Sequence, residues 1–224
     1  MDSCLHLDQD FHLSRCSCGG RPLFAQIEAT GSGGAALVVT WFSVVFAFVV
    51  LQRLLELIIA KRNGKHLVAL GGVEVGAEHY KYIVLLHVSF LLALFFEVFA
   101  RNREMLPPYG TPFALFCLAQ GLRVWVLLSL GKFWNTRIYV LPGSVPIARG
   151  PYRFLRHPNY VVVAIELFTL PLSFGAWSTA LLFTALNAWV LSIRIRAEER
   201  ALLEMTSYAE EMGRRERFLP TLKK

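Results

Sequence analysis

Long runs of apolar residues, separated by short polar segments, are the dominant pattern of this chain of 224 residues. A helix rises 1.5 Å per residue and the hydrocarbon core of a bilayer is about 30 Å thick, so runs of this length predict membrane-spanning helices. The last two runs are the shortest and are separated by a minimal turn, which predicts a helical hairpin. The runs are Ala35 to about Ala60, Tyr82–Ala100, Pro112–Gly131, Pro158–Phe174 and Ser178–Ile193. The pattern therefore predicts an all-α, polytopic integral membrane protein with about five transmembrane helices.

The polar segments divide the chain into three parts. Residues 1–34 are polar and rich in Gly and Ser, and they contain no basic segment followed by an apolar one, so they do not have the pattern of a signal peptide. We expect 1–34 to be a flexible N-terminal extension. Residues 35–130 then contain three transmembrane helices, and residues 131–224 contain the hairpin and the densest polar chemistry.

Composition supports the membrane assignment and narrows the function. Hydrophobic residues make up 55% of the chain and charged residues 17%, whereas a soluble domain has about 25% charged residues. This balance argues against a soluble enzyme, a disordered chain and a secreted disulfide scaffold. No Lys/Arg block with interleaved aromatic residues is present, so we expect no nucleic-acid partner.

The N-terminal cysteines offer a weak alternative. Cys16 and Cys18 are separated by one residue rather than by the two that are common in zinc sites. A metal site completed by His6 and His12 is possible, but a mobile polar tail is the favoured interpretation, and we expect no metal.

The positive charges predict the orientation in the membrane. Four Lys/Arg lie in 61–81, five lie in 132–157 without any acidic residue, and eight lie from Arg194 onward, whereas 101–111 contains only two. Basic loops mark the cytoplasmic side. The N-terminus is therefore expected outside, and the C-terminus and the polar segments around the hairpin in the cytoplasm.

The most informative segment is 148–160, Ala-Arg-Gly-Pro-Tyr-Arg-Phe-Leu-Arg-His-Pro-Asn-Tyr. Pro158 suits the first turn of a helix and pushes His157 into an extended conformation. His157 and Asn159 would then frame a helix N-terminus, which attracts anions. Interfacial anchoring, with Tyr152 and Tyr160 in an aromatic belt, is an equally good explanation from the physics alone.

The second segment is Arg194-Ile-Arg-Ala-Glu-Glu199, directly after the last run. Arg194 and Glu198 are four residues apart and share a helix face. In isolation an exposed helix with ordinary ion pairs would explain the segment. A tight hairpin, however, brings its two ends to the same membrane face, so 152–160 and 194–199 should lie close together.

Polar residues inside the apolar runs form a third set. Such residues are costly in a membrane and are by default functional candidates. Pairing between helices is the simpler explanation, and we favour it for Glu97, Arg123 and Glu166. The full set is Gln52, Arg53, Glu56, His87, Glu97, Gln120, Arg123 and Glu166.

The string Gly-Pro-Tyr-Arg-Phe-Leu-Arg-His-Pro-Asn-Tyr, followed about 35 residues later by Arg194-Ile-Arg-Ala-Glu-Glu, resembles the isoprenylcysteine carboxyl methyltransferase family. The resemblance implies an integral membrane enzyme that uses S-adenosylmethionine (SAM), with residues 131–224 as the SAM-binding catalytic region. It implies that Arg194 acts on the substrate side. The implied SAM contacts are Tyr152, His157, Pro158, Asn159, Tyr160 and Glu198. It also implies a pocket-lining stretch before the Gly-x-Tyr turn, here Ser144, Val145, Pro146 and Ile147, where Leu141–Pro146 departs from the family's usual His-x-Leu-Val.

The chain looks most like the small bacterial branch of that family. The resemblance implies O-methylation of a lipophilic acceptor, such as a prenylcysteine carboxylate or a long-chain alkylpyrone or alkylresorcinol. Phospholipid N-methylation is the alternative within the same chemistry, and a small transporter or a non-catalytic anchoring subunit is the alternative from another class. Membrane lipids are expected partners, and the sequence does not define an oligomeric state.

Overall fold

The computed structural model describes residues 23–100, 110–213, 215 and 218, with the backbone alone described for 23–38. The remaining residues, among them the candidate metal ligands Cys16, Cys18, His6 and His12, lie outside the described residues. The chain divides into two units, Met1–Gly34 and Ala35–Lys224. All side-chain contacts discussed below belong to the second unit.

Helices dominate the described part of the chain. They are α1 (Leu23–Ala69), α2 (Ala77–Ala100), α3 (Gly110–Leu130), α4 (Pro158–Ser173), α5 (Trp177–Met205) and α6 (Tyr208–Met212). Two 3₁₀ turns, Gly131–Phe133 and Gly150–Arg153, follow α3 and precede α4. The first helix begins at Leu23, within the segment 1–34 that the sequence marks as an extension.

Four of the described helices are long and apolar enough to cross a membrane, and α4 is a shorter apolar helix. The prediction of an all-α, polytopic membrane protein with about five apolar helices is therefore confirmed. Helix α4 has 16 residues and is about 24 Å long at 1.5 Å per residue, which is less than the hydrocarbon core. It lies in the bundle as the inner arm of the hairpin, and ten of its residues are buried.

The chain also forms one small sheet, which the apolar pattern does not predict. Strand β1 (Val73–Val75) pairs antiparallel with β2 (Ile138–Val140), with Glu74 opposite Tyr139. The sheet packs against α5 through Ile138, Val140 and the buried Ala201. It connects the α1–α2 segment to the α3–α4 segment at the end of the bundle where the polar residues gather.

Aromatic side chains fill the opposite end of the bundle, around the hairpin turn. The ring of Phe42 lies 5.1 Å from that of Phe174, and the ring of Phe90 lies 5.5 Å from that of Phe183. Glu97 accepts hydrogen bonds from the backbone N–H of Thr179 at 2.8 Å and from its hydroxyl at 2.6 Å. Because the first N–H groups of a helix lack partners within the helix, Glu97 caps the start of α5.

The hairpin has the predicted minimal turn and a longer second arm. Helix α4 ends at Ser173, and α5 begins at Trp177 after a turn in which Gly175 has a φ of 72°. Helix α5 then continues to Met205, twelve residues beyond the predicted end at Ile193. Arg194 and Glu198 consequently lie within the helix, beside the start of α4.

Candidate active site

The start of α4 is defined by the dipeptide His157-Pro158. Pro158 occupies the first turn, where its missing N–H leaves no unpaired donor, so the predicted helix start is confirmed. His157 has a φ of −127° and a ψ of 55°, outside the α region as a residue before proline requires, although less extended than predicted. Its Nε2 lies 3.0 Å from Oε1 of Glu199, and both side chains are buried. This pair fixes the end of α5 to the start of α4.

Tyr160 lies at the centre of the polar contacts between the two arms. Its hydroxyl donates a hydrogen bond to Glu198 and accepts one from Nε of Arg194 at 2.8 Å. Nη2 of Arg194 donates to the carbonyl of Thr136 at 2.7 Å. Arg194 is only 9% exposed, so the explanation as an exposed, ion-paired helix face does not apply to it. The segments 152–160 and 194–199 therefore meet, as the short hairpin turn predicts.

Tyr152 reaches the site from the 3₁₀ turn that begins at Gly150. Gly150 has a φ of 59°, and a Cβ on this residue would lie 2.0 Å from Oγ of Ser129 on α3. The turn is therefore pressed against α3 in a way that only glycine permits. Burial, with a smaller contribution from the charge of Glu198, raises the pKa of Tyr152 well above its ordinary value. Its phenol thus stays neutral.

A small polar cavity of about 100 Å³ opens beside these residues. Tyr152, Asn159, Tyr160 and Glu198 line it, and Arg194 lies at its edge towards the bundle. Oδ1 of Asn159 is buried and has no hydrogen-bond partner among the described residues. An unpartnered buried acceptor beside a carboxylate is suited to a ligand that brings hydrogen-bond donors.

A larger and mainly apolar cavity of about 250 Å³ lies deeper in the bundle, between α1, α2 and α5. Leu54 and Leu57 of α1 and Val84 and Val88 of α2 line it, and each is also more than 40% exposed on the outer surface. The cavity is therefore bordered by exposed apolar side chains between α1 and α2, on the part of both helices that is apolar enough to face lipid.

The two cavities share one wall. The residues that line both are Trp134, Asn135, Asn159, Tyr160 and Arg194. A polar space on one side and an apolar space on the other thus meet at the Tyr160–Arg194 hydrogen bond. This junction is the position at which a polar reactant and a lipophilic reactant could meet.

The segment Ser144–Ile147 is placed differently from the other candidates. Ser144 donates its hydroxyl to the carbonyl of Leu141 at 2.7 Å, and Val145 is 66% exposed. None of the four residues lines either cavity. The described structure therefore brings together Tyr152, the segment 157–160, Arg194 and Glu198, but not Ser144–Ile147.

Sequence reasoning missed the segment Trp134–Thr136. Trp134 and Asn135 belong to the shared wall, and Thr136 lines the apolar cavity. Asn63 of α1 donates to the carbonyl of Trp134 at 2.7 Å, and Asn135 donates to the carbonyl of Ala60 at 2.8 Å. The segment has no recognisable motif, and its one signal is a run of hydrogen-bonding side chains directly before β2. Two asparagines thus fix the wall to α1.

Deeper in the bundle than the junction, four charged side chains pair with one another. Arg123 donates through Nε to Glu166 at 2.7 Å and through Nη1 to Glu56 at 3.1 Å. Arg53 donates to Glu166 at 2.6 Å and to Glu56 at 2.7 Å. Gln120 adds a donor to Glu166 at 2.7 Å. The predicted pairing of Arg123 and Glu166 is confirmed, and we call these five residues the buried charge cluster.

Comparison with known proteins identifies similar chains. The profile of the isoprenylcysteine carboxyl methyltransferase family matches residues 112–204, a range that contains every residue of the junction. A Bacillus subtilis (strain 168) protein, named only as uncharacterized protein YpbQ, is 39% identical over 163 residues, which are 73% of this chain and 97% of that protein. An uncharacterized protein of Haemophilus influenzae (strain ATCC 51907 / DSM 11121 / KW20 / Rd) is 28% identical over 163 residues, which are 72% of this chain and 95% of that protein.

Proposed function

This chain belongs to the isoprenylcysteine carboxyl methyltransferase family of membrane methyltransferases, and from that premise we propose that it transfers a methyl group from SAM to an oxygen of a lipophilic acceptor. The observation that supports the proposal most directly is the junction at Tyr160 and Arg194, where a polar and an apolar cavity meet. A methyltransferase for lipids needs this arrangement because its two reactants differ in polarity.

The residues of the polar cavity fit SAM. The carboxylate of Glu198 and the unpartnered Oδ1 of Asn159 can accept hydrogen bonds from ribose hydroxyls or from the ammonium group. The neutral ring of Tyr152 can attract a cation through its face. His157 and Pro158 form the adjoining helix start. When bound, SAM supplies an electrophilic methyl group on a positively charged sulfur.

We assign to Arg194 the role of binding the acceptor oxygen. Its Nε and Nη2 are held by Tyr160 and by the carbonyl of Thr136, while Nη1 has no hydrogen-bond partner among the described residues and the side chain borders the apolar cavity. A guanidinium held in this way can donate a charge-assisted hydrogen bond to an anionic oxygen. Arg194 therefore orients the nucleophilic oxygen without removing a proton from it.

This chemistry favours an acceptor that is already ionised near neutral pH. A carboxylate, or the acidic hydroxyl of an alkylpyrone, meets that condition, so the residues need only align the reactants and exclude water. A phospholipid amine would gain nothing from a guanidinium beside it. The acceptor's tail would occupy the cavity that Leu54, Leu57, Val84 and Val88 border towards the bilayer.

Cofactor binding tests the proposal. We expect His157→Ala and Glu198→Ala each to weaken SAM binding at least tenfold, about 1.4 kcal/mol, in calorimetry on the detergent-purified protein. Glu204→Ala is the matched control, because Glu204 is an exposed glutamate of the same helix. Absence of SAM binding to the unmodified protein, or unchanged affinity in both site variants, would contradict the proposal.

A further inference from the structure

The apolar cavity is lined by a polar side chain that makes no hydrogen bond with the buried charge cluster. Asn187 of α5 is only 4% exposed and lines this cavity. Its amide makes no hydrogen bond with any described residue, and its side chain borders the cavity. A buried amide without a partner destabilises the fold. Asn187 is therefore placed to bind a group that enters the cavity.

His87 of α2 lines the same cavity. Its Nδ1 lies 2.8 Å from the carbonyl oxygen of Ile83. Because a carbonyl can only accept, Nδ1 must be the protonated nitrogen, and Nε2 of the neutral ring is then an acceptor. The cavity thus offers an acceptor from His87 and both a donor and an acceptor from Asn187.

The two side chains lie at one depth in the bundle. The rings of Phe90 and Phe183 are in contact, with their centroids 5.5 Å apart. His87 lies one turn before Phe90 and Asn187 one turn after Phe183, on helices that run in opposite directions. Both residues are therefore one turn closer to the junction than this aromatic pair.

The depth can be measured from Thr136, which follows the shared-wall residue Asn135 and contacts both α2 and α5. Tyr80 of α2 lies 3.2 Å from the Thr136 hydroxyl, and Arg194 of α5 donates to the Thr136 carbonyl. His87 is seven residues after Tyr80, and Asn187 is seven residues before Arg194. Seven residues of helix correspond to about 10 Å. His87 and Asn187 therefore lie about 10 Å deeper than the junction.

We propose that His87 and Asn187 form a second recognition point for the acceptor, and that the acceptor has a hydroxyl about 10 Å from the oxygen that is methylated. A hydroxyl can donate to Nε2 of His87 and accept from the amide of Asn187 at once. A pure hydrocarbon tail would leave the amide unpaired. This inference rests on the proposed function in one respect, namely that the apolar cavity holds the acceptor.

Matched fatty acids test the second recognition point. The probes are palmitate, 10-hydroxypalmitate, whose hydroxyl lies at about that distance in an extended chain, and 3-hydroxypalmitate as a control for polarity alone. Binding is measured by calorimetry on the full chain in nanodiscs. We expect 10-hydroxypalmitate to bind about tenfold more tightly than the other two.

The variants separate this role from general packing. Asn187→Leu should abolish the preference for the 10-hydroxy probe and leave palmitate binding unchanged or tighter, and His87→Phe should reduce the preference. Thr184→Val should retain it, because Thr184 has an unpartnered hydroxyl on the same helix but does not line the cavity. An absent preference, or one that survives both Asn187→Leu and His87→Phe, would overturn the inference, as would failure of all three probes to bind.

Methyl transfer to the probes distinguishes the two proposals. A preference for 10-hydroxypalmitate without transfer from SAM to any probe would support the recognition point and count against O-methylation of carboxylates. Transfer to palmitate and 10-hydroxypalmitate at equal efficiency would support the proposed function and reject the recognition point.

Discussion

At the scale of single residues, replacing Arg194 tests whether the protein methylates an oxygen rather than a phospholipid amine. Lysine keeps the charge but lacks the planar guanidinium, which contacts Tyr160 and Thr136 through two of its nitrogens and has a third nitrogen without a partner among the described residues. We expect Arg194→Lys to lose most methyl transfer, through both kcat and the acceptor KM, with SAM affinity nearly unchanged. Labelled-methyl transfer and calorimetry measure the two quantities.

Arg196→Lys is the matched control for this prediction. Arg196 is exposed, and its guanidinium contacts Ser192 of the same helix. The Arg196→Lys variant should therefore have the same activity as the unmodified protein. Unimpaired turnover in Arg194→Lys, or N-methylated phosphatidylethanolamine as the main product, would reject the role of Arg194.

The buried charge cluster makes a second residue-scale prediction. It balances two arginines against two glutamates, and Glu166, only 2% exposed, accepts hydrogen bonds from Arg53, Arg123 and Gln120. Glu166→Gln leaves one buried positive charge uncompensated, which typically costs about 3–5 kcal/mol. We expect a clearly lowered Tm in detergent, as measured by thermal unfolding.

A double variant shows whether charge balance is the cause. Arg123→Leu combined with Glu166→Leu removes one charge of each sign and leaves the Arg53–Glu56 pair intact. Replacing a buried ion pair by apolar residues is often nearly neutral. The double variant should therefore be more stable than Glu166→Gln, and a Tm at or below that of the single variant would argue against this explanation.

At the scale of elements, the 3₁₀ turn Gly150–Arg153 links α3 to the polar cavity. In Gly150→Ala a methyl group would collide with Ser129 at a backbone position that disfavours side chains. The turn must then move and displace Tyr152, so we expect weaker SAM binding with the helical content, measured by circular dichroism, retained. Gly143→Ala is the control, because Gly143 has a similar φ of 71° but open space around it. Equal effects of both variants would contradict a role for this close contact.

The sequence predicts much of the hairpin and little of the cavity beside it. Pro158 and the three-residue turn at Gly175 are local signals, so the start of α4 and the approach of Glu198 to Tyr160 could be anticipated. The end of α5 could not, because the charged segment after Ile193 ends the apolar run without interrupting the helix.

Features that depend on contacts between residues distant in the sequence could not be predicted from the pattern of apolar and polar residues. The strands β1 and β2 have three residues each, and their register joins residues more than sixty positions apart. Asn187 is one of several uncharged polar residues in an apolar run, and only the packing of α5 against α2 shows that it lines a cavity. The assignment of Ser144–Ile147 to the cofactor pocket rests on the family resemblance alone and stays a prediction, because none of these residues lines either cavity.

At the scale of the whole molecule, the two cavities define two directions of access. The apolar cavity is bordered by exposed aliphatic side chains of α1 and α2, whereas the polar cavity lies among the basic segments that follow α3 and precede α4. A lipophilic reactant could therefore arrive from the bilayer and a water-soluble one from the aqueous face. The proposed use of SAM then requires the polar end of the bundle to face the compartment that contains SAM.

The orientation of the bundle is the last prediction. Arg194 contacts Thr136, so the segment after α3 and the end of α5 lie at the same end of the molecule, and both are rich in Lys and Arg. Because basic segments stay in the cytoplasm, reporter fusions after Val140 and at the C-terminus should both report the cytoplasm. A fusion within 101–109 is the control and should report the outside. An external signal from either of the first two fusions would place the polar cavity on the wrong side for cytoplasmic SAM and contradict the proposed arrangement.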